Sequence, residues 1–338
     1  MQKRLIVAGA TLDRAISAMH TGDLLYERCR ITTLPPNSCV NTREEFDKTS
    51  LINLRWLLDP AENEPVELFV SSPSDRNNSG ATKTYLLPQQ LPMGSLVRLR
   101  DNIFTLSPEC YFVWKCRQIP DLPSRLMLCD ELLGTYARKI PGERGSGCAY
   151  FLEPLTTARR LHAFLRRAGG MRGVRPARDT LRWALGNSFS PMESILATVI
   201  ILPQRYGGWG YPQPTLNPTL VVPADKRHLT HGDSYMPDIA WAEFLLDVEY
   251  DSRERHDTLA ERRKDEIRKS DIEALGYKVI PVHPNDLTDF AEAERLRLKI
   301  GEHLVGHKGR TMRQHLKRLD TPELAEGRRS LLEMLLHG

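Results

Sequence analysis

Alternating apolar and polar positions predict a β-hairpin near residue 240. The stretch 236–256 reads MPDIAWAEFLLDVEYDSRERH, so a Pro-Asp pair precedes an apolar patch and a group of carboxylates follows it. With a tight turn at Glu243-Phe244, antiparallel pairing places Asp238 beside Glu249. Because side chains alternate along a strand, the carboxylates share one face and the apolar side chains share the other. The acidic face comprises Asp247, Glu249 and Asp251.

The N-terminal half predicts a mixture of helices and strands. Apolar runs bounded by turn residues predict strands at Val66–Val70 and Leu96–Leu99. Ser107-Pro108-Glu109 is a typical helix start, with a capping hydroxyl before a proline at the first helical position. Helices are predicted at Ala15–Met19, Leu51–Leu58, Tyr111–Lys115, Ser124–Tyr136, Thr156–Arg167 and Pro176–Leu185.

The pattern from Ser190 onward predicts the order helix, strand, strand, strand, helix, strand. Ser190 and Glu193 form a capping box with Pro191 between them, and an apolar helix follows to Ile201. A strand at Leu220–Val222, the hairpin, a charged helix at Glu254–Ala274 and a strand at Tyr277–Val282 complete the order. A helical region at Leu287–Leu304 and a charged helical tail follow. This alternation favours an α/β fold with a mixed central sheet flanked by helices.

A glycine-rich stretch, Gly142–Gly147, predicts a linker between two domains. The sequence there is GERGSG, and arginine becomes frequent after it. A chain of 338 residues is long enough for two domains. We therefore predict an N-terminal α+β domain over 1–145, a second domain over 155–305 and a helical tail over 306–338.

Charge is distributed unevenly, although the net charge is only +4. A short stretch with few acids is rich in arginine, and Arg262-Arg263-Lys264 follows the hairpin. Basic clusters beside an acidic site suit a phosphodiester substrate, with DNA as the expected partner. The alternative is that these arginines form the solvated faces of helices. The candidate DNA contacts are Arg159, Arg160, Arg166, Arg167, Arg172 and Arg175.

Carboxylates that share one face of a half-buried hairpin predict a cation site. Their mutual repulsion and cost of burial need a counter-charge, and oxygen ligands at this density suit Mg²⁺ or Mn²⁺. The alternative is a hydrated acidic strand at a sheet edge. Six cysteines form no CxxC pair, and neither a signal peptide nor a stretch of transmembrane length is recognisable. A cytoplasmic protein without membrane partners is expected.

The ordered motifs resemble the PD-(D/E)XK nuclease superfamily, most closely its branch similar to very-short-patch-repair endonucleases. The resemblance rests on Pro237-Asp238, Glu249-Tyr250-Asp251-Ser252, His256, Asp265-Glu266-Ile267-Arg268 and Gly276-Tyr277-Lys278-Val279. It covers residues 175 to 290 and implies a restriction-endonuclease-like core. The two-domain layout resembles AbiEi-like abortive-infection antitoxin proteins.

The resemblance implies roles for the matching residues. Asp238 and Glu249 would bind Mg²⁺, with Asp251 and Glu193 as further ligands, and His256 would relay a proton. Arg268 would neutralise a phosphate oxygen, and Asp265 would orient Arg268 or His256. Asp251 replaces the lysine for which the superfamily is named, and Ser252 replaces the usual glycine.

Each of these roles has a structural alternative. Glu193 can serve only its capping box, His256 can cap a helix or face solvent, and Asp265 with Arg268 can form a surface ion pair.

Two functions follow from these expectations. The first is a metal-dependent endonuclease that hydrolyses DNA, with phage defence or a toxin–antitoxin system as its setting. The second is an inactive nuclease fold that binds DNA or a partner protein, as an antitoxin or repressor would. A protein partner is expected to bind through the N-terminal domain.

Overall fold

The computed structural model describes residues 5–28, 64–76, 78, 82–87, 91–138, 147–251 and 259–337. The predicted helix at Leu51–Leu58, most of the linker, Ser252 and His256 lie outside these ranges. The chain divides into two compact units. Unit 1 comprises Met1–Asp121 and Glu131–Arg182, and unit 2 comprises Leu122–Asp130 and Trp183–Gly338.

A six-stranded mixed sheet forms the centre of unit 1, with the strand order β2-β5-β6-β1-β3-β4. The pairs β1–β6 and β3–β4 are parallel, and the other neighbours are antiparallel. The predicted strand Val66–Val70 has these bounds, and the second extends to Arg100. The strands are β1 (Leu5–Val7), β2 (Glu27–Arg28), β3 (Val66–Val70), β4 (Thr82–Leu86), β5 (Leu96–Arg100) and β6 (Ile103–Leu106). A separate ribbon pairs β7 (Ala137–Arg138) with β8 (Cys148–Ala149).

The helices in this part of the chain confirm the predicted start at Ser107-Pro108. Ser107 accepts a hydrogen bond from the backbone N–H of Cys110, and Pro108 is the first residue of α2. Both residues act as the sequence predicts, since a hydroxyl satisfies a free N–H and proline needs none. The helices are α1 (Gly9–Thr21), α2 (Pro108–Cys116), α3 (Leu122–Leu133), α4 (Ala158–Arg167) and α5 (Val174–Leu181).

The division into units differs from the predicted boundary between residues 145 and 155. Helices α4 and α5 belong to unit 1, because their apolar faces pack against α2. Gly173 begins this contact, since a Cβ there would lie 2.2 Å from the carbonyl oxygen of Val113. Conversely, most of α3 belongs to unit 2, where Leu122 and Leu126 join the core.

A four-stranded mixed sheet forms the centre of unit 2, with the order β14-β13-β12-β9. The predicted hairpin is confirmed, because Ile239 pairs with Val248 and Trp241 with Leu246. The strand predicted at Leu220–Val222 is confirmed over Leu220–Val221, but among the described residues it pairs with Ser234–Tyr235 in a separate ribbon. The two-residue strand Thr215–Leu216 takes the edge of the central sheet beside Ile239–Ala240 instead. The strands are β9 (Thr215–Leu216), β10 (Leu220–Val221), β11 (Ser234–Tyr235), β12 (Ile239–Trp241), β13 (Leu246–Tyr250) and β14 (Lys278–Val282).

The helices of unit 2 pack around one apolar core. Leu246 and Val248 of β13 are fully buried in it, as the predicted alternation requires. The predicted helical tail is confirmed as helical, but it is not separate, because Leu316 and Leu331 also lie in this core. The helices are α6 (Pro191–Ile201), α7 (Leu259–Ala274), α8 (Asn285–Thr288), α9 (Phe290–Lys308), α10 (Arg310–Leu319) and α11 (Pro322–His337).

Candidate functional site

The hairpin brings two of the predicted ligands to one end of the sheet. Asp238 directly precedes β12, and the observed register places it beside Glu249 of β13. The backbone N–H of Tyr250 donates a hydrogen bond of 2.8 Å to Oδ2 of Asp238. This bond joins the ends of the two strands and fixes the Asp238 carboxylate at the site.

Helix α7 supplies a cation to the same place. Arg268 donates from both terminal nitrogens to the two carboxylate oxygens of Glu249, at 2.8 Å and 2.9 Å. One of these nitrogens also donates to the backbone carbonyl of Met236. The forked geometry is the strongest that arginine and a carboxylate form. Arg268 therefore pairs with Glu249, whereas Asp265 is exposed on the same helix.

Asp247 is the most unusual carboxylate of the site. Its side chain is fully buried, and no N–H or O–H group of the described residues donates a hydrogen bond to either of its oxygens. Burial raises the pKa of Asp247 far above the ordinary range of aspartate, and the negative charge of Glu249 and a hydrogen bond between the two carboxyl groups raise it further. A buried carboxyl group to which nothing donates must hold a proton or bind a cation.

The pKa of Asp238 is raised by burial and by neighbouring negative charges as well. Burial raises the pKa of Asp238, and the charges of Glu249 and Glu193 add to the effect. The hydrogen bond from Tyr250 and the positive charge of Arg268 act in the opposite direction. We use the name carboxylate cluster for Glu193, Asp238, Asp247 and Glu249.

Glu193 has a structural role that the sequence predicts. Its backbone N–H donates to the hydroxyl of Ser190, which in turn donates to the Glu193 carboxylate, as in a capping box. The N–H of Phe189 and the amide of Asn217 donate to the other carboxylate oxygen, at 2.9 Å and 2.8 Å. Burial nevertheless raises the pKa of Glu193. Asn217 lies in an irregular loop, and no sequence signal pointed to it.

The remaining predicted residues lie outside the carboxylate cluster or outside the described ranges. Asp251 follows the last residue of β13; its side chain is 65% exposed, and Oδ2 lies 3.6 Å from Nδ1 of His283. His256 lies outside the described residues. The six candidate arginines are all exposed on or beside α4 and α5, which belong to unit 1, whereas the carboxylate cluster belongs to unit 2.

The donor chemistry of the cluster suits a hard divalent cation. Negative charges within the cluster raise the pKa values of Glu193, Asp238 and Asp247, and the oxygens of Asp247 are the kind of ligand that Mg²⁺ or Mn²⁺ prefers. Within the described ranges, however, no three His, Cys, Asp or Glu side chains stand in metal-binding geometry. The guanidinium of Arg268 neutralises Glu249 instead. A metal held by Glu249 would therefore share that carboxylate with Arg268 or displace the guanidinium.

A second arrangement, on the other side of Arg268 along α7, was not predicted. Asp271 is 3% exposed, and its carboxylate accepts hydrogen bonds from the backbone N–H and Nδ1 of His231 and from the hydroxyl of Tyr235. These bonds lower the pKa of Asp271 against the effect of burial. They fix the loop before β11 against α7. His231 itself is exposed, and its fixed orientation leaves Nε2 facing solvent.

Comparisons with known proteins leave this site unassigned. No family model matches the chain, and no solved structure matches it. Two curated relatives from Mycobacterium tuberculosis, the uncharacterized proteins MT2308 (strain CDC 1551) and Rv2248 (strain H37Rv), are each 32% identical over 135 residues. The match covers 40% of this chain and 44% of each relative.

Among the helices that the structure describes, none combines the length and the apolar character needed to span a bilayer.

Proposed function

We propose that the protein is a metal-dependent endonuclease that hydrolyses DNA phosphodiester bonds at the carboxylate cluster. The single observation that carries the proposal is the buried carboxyl group of Asp247, close to Glu249 and Asp238, to which no described group donates a hydrogen bond. A buried acidic cluster destabilises the folded protein unless it binds a cation. The fold of unit 2, an α/β arrangement with a mixed sheet flanked by helices, is compatible with a restriction-endonuclease-like core.

Each residue of the cluster would have a separate role in the reaction. Asp238 and Glu249 would hold Mg²⁺ or Mn²⁺, with Asp247 as a further ligand in place of the exposed Asp251. The ion, when bound, would polarise the scissile phosphate and lower the pKa of water. Arg268, once released from Glu249, would contact a phosphate oxygen, because its planar fork suits both carboxylate and phosphate. His256 keeps its proposed role as a proton relay.

A plasmid-cleavage assay tests this proposal. Supercoiled DNA is incubated with the full chain in Mg²⁺, Mn²⁺ or EDTA, and nicked and linear products are measured. We expect cleavage only with metal, and a loss of at least 100-fold for Asp238→Asn and Glu249→Gln, because each removes a ligand charge. Glu273→Gln is the matched control, since Glu273 is exposed on α7 outside the cluster. Equal activity of all three variants would contradict the proposal.

One observation favours a second function, an inactive nuclease fold that binds DNA in the cytoplasm as an antitoxin or repressor. The forked ion pair between Arg268 and Glu249 already neutralises the carboxylate that a metal would need. DNA binding without cleavage, unchanged by EDTA and by Asp238→Asn, would support this function over the first.

A further inference from the structure

The C-terminal part of unit 2 contains a cationic stretch that neither proposed function uses. Between His303 and Leu319 the sequence is HLVGHKGRTMRQHLKRL, without a single acidic residue. It carries five lysines and arginines. These are Lys308, Arg310, Arg313, Lys317 and Arg318.

Helix α10 sorts this stretch into two faces. Met312, Leu316 and Leu319 are buried and join the core of unit 2. The four cations of the helix are all exposed, and none forms an ion pair with a described residue. Like charges that gather on one face without counter-charges repel each other. Such a face is typical of a surface that binds a polyanion.

A cleft of about 540 Å³ opens beside this face. Its volume lies in the range of small-molecule sites, roughly 300–1,000 Å³. No carboxylate is among its lining residues, which all lie in described parts of unit 2. The residues that set its chemistry are Trp183, Gln204, Arg205, Tyr211, His315 and Arg318.

The rings and cations of the cleft are held in place. Nε2 of His315 lies 2.7 Å from the carbonyl oxygen of Trp209, and the hydroxyl of Tyr211 donates to the carbonyl of Arg297. The guanidinium of Arg205 stacks on Tyr206 at 4.7 Å from the ring centre. Aromatic rings and two arginines line the same cleft, so the cleft offers stacking surfaces and phosphate contacts together.

We propose that this cleft and the exposed face of α10 form a binding site for single-stranded nucleic acid. A base would stack in the cleft against Trp183, Arg205 and Arg318 would hold the adjoining phosphates, and the cations of α10 would follow the backbone. Aromatic platforms combined with a cationic track are how single strands are bound without sequence preference. A duplex cannot insert a stacked base, so it would use the cationic face alone.

The test measures binding of a fluorescein-labelled 15-nucleotide thymidine strand to the full chain in EDTA, where cleavage cannot contribute. The double variant Arg205→Gln/Arg318→Gln should bind at least tenfold more weakly and lower the salt slope by about 1.4, at roughly 0.7 per phosphate contact on a single strand. The double variant Lys278→Gln/Lys299→Gln is the matched control, because it removes two exposed cations of unit 2 outside the cleft. Melting curves confirm that both variants fold.

Two further arms make the result decisive. Trp183→Phe keeps a stacking ring and should retain binding, whereas Trp183→Ala should lose about tenfold, as the loss of one base-stacking contact predicts. A thymidine–adenine duplex of the same length should bind more weakly than the single strand. Equal weakening by the two double variants, or tighter binding of the duplex, would overturn the proposal. Neither outcome depends on nuclease activity, so the carboxylate cluster is tested separately.

Discussion

At the scale of single residues, the raised pKa of Asp247 predicts how the stability of the protein changes with pH. Its pKa is raised in the folded protein by burial and by Glu249, while the unfolded chain has the ordinary value near 3.9. Between these two values the folded state keeps a proton that the unfolded state releases. Stability in EDTA should therefore fall as pH rises above about 4, with a slope of up to 1.4 kcal/mol per pH unit for this group.

The variant Asp247→Asn tests this directly, because asparagine has nearly the same shape and does not titrate. We expect Asp247→Asn to be more stable than the natural protein by about 1–3 kcal/mol at pH 8 in EDTA, with little difference at pH 4. The measurement is the melting temperature of both proteins across this range. A variant that is less stable at pH 8 would show that Asp247 is ionised and satisfied in the folded state. Mg²⁺ should stabilise only the natural protein.

The same residues show what the sequence could predict. The position of Asp238 beside Glu249 was predicted because a hairpin register depends on local alternation and one turn. The capping box of Glu193 was predicted for the same reason, since both partners lie within one turn of helix. The partner of Arg268 was not, because Glu249 lies 19 residues away on a strand, and local spacing favoured Asp265. The lack of a described donor to Asp247 was not predicted either, because it depends on which groups the fold packs around that side chain.

At the scale of elements, the hairpin turn contains a strained residue. Leu245, which follows a short 3₁₀ turn, has φ of 47° and ψ of 46°, in the left-handed region that disfavours residues with a Cβ. Because glycine adopts this conformation at no steric cost, Leu245→Gly should stabilise the protein by about 0.5–1 kcal/mol. Urea unfolding measures the change.

A matched glycine substitution separates this effect from the loss of a side chain. Leu229 is similarly exposed, at 47% against 41% for Leu245, but it has an ordinary backbone conformation. Leu229→Gly should therefore destabilise the protein by about 0.5–1 kcal/mol. If both variants lose stability equally, the turn is not strained.

Helix α4 supports a separate prediction about DNA. Arg166 and Arg167 are exposed in its last turn, and the opposite face buries Leu161 and Phe164. If these arginines contact phosphates, replacing both with alanine should weaken binding of all duplex sequences alike and flatten the salt slope by roughly one to two units. Fluorescence anisotropy measures the affinity and its salt slope. A range of roughly 50 to 200 mM salt is suitable, because phosphate contacts make the affinity change strongly there. An unchanged slope would make these arginines a solvated helix face.

At the scale of the whole molecule, the two units are interleaved in sequence. Leu122–Asp130 belongs to unit 2, yet unit 1 continues on both sides of it. Asp130 is fully buried, accepts hydrogen bonds from the N–H groups of Leu185 and Gly186, and has a pKa raised by burial to about 7. A linker search could not find this arrangement, because glycine-rich composition marks an exposed loop and says nothing about which core a helix joins.

The interleaving predicts that residues 183–338 are incomplete alone. Removing Leu122 and Leu126 from the core forfeits about 1.5–3 kcal/mol for each fully buried leucine. We expect a fragment of residues 183–338 to have a lower melting temperature than the full chain. A peptide of residues 120–133 should raise the melting temperature of the fragment in proportion to the logarithm of the peptide concentration. A peptide with both leucines changed to aspartate is the control. Equal melting with either peptide would contradict the assignment of this segment to unit 2.

The interleaved segment also has a consequence for synthesis on the ribosome. Residues 122–130 emerge well before Leu196 and Trp209, with which they share a core. At roughly 5–20 residues per second, several seconds pass before those partners are made. During that time two leucines of the growing chain lack most of the core that buries them in the folded protein. Nascent chains of this length are therefore natural clients for chaperones that cover apolar segments, and translation speed beyond residue 182 sets how long the exposure lasts.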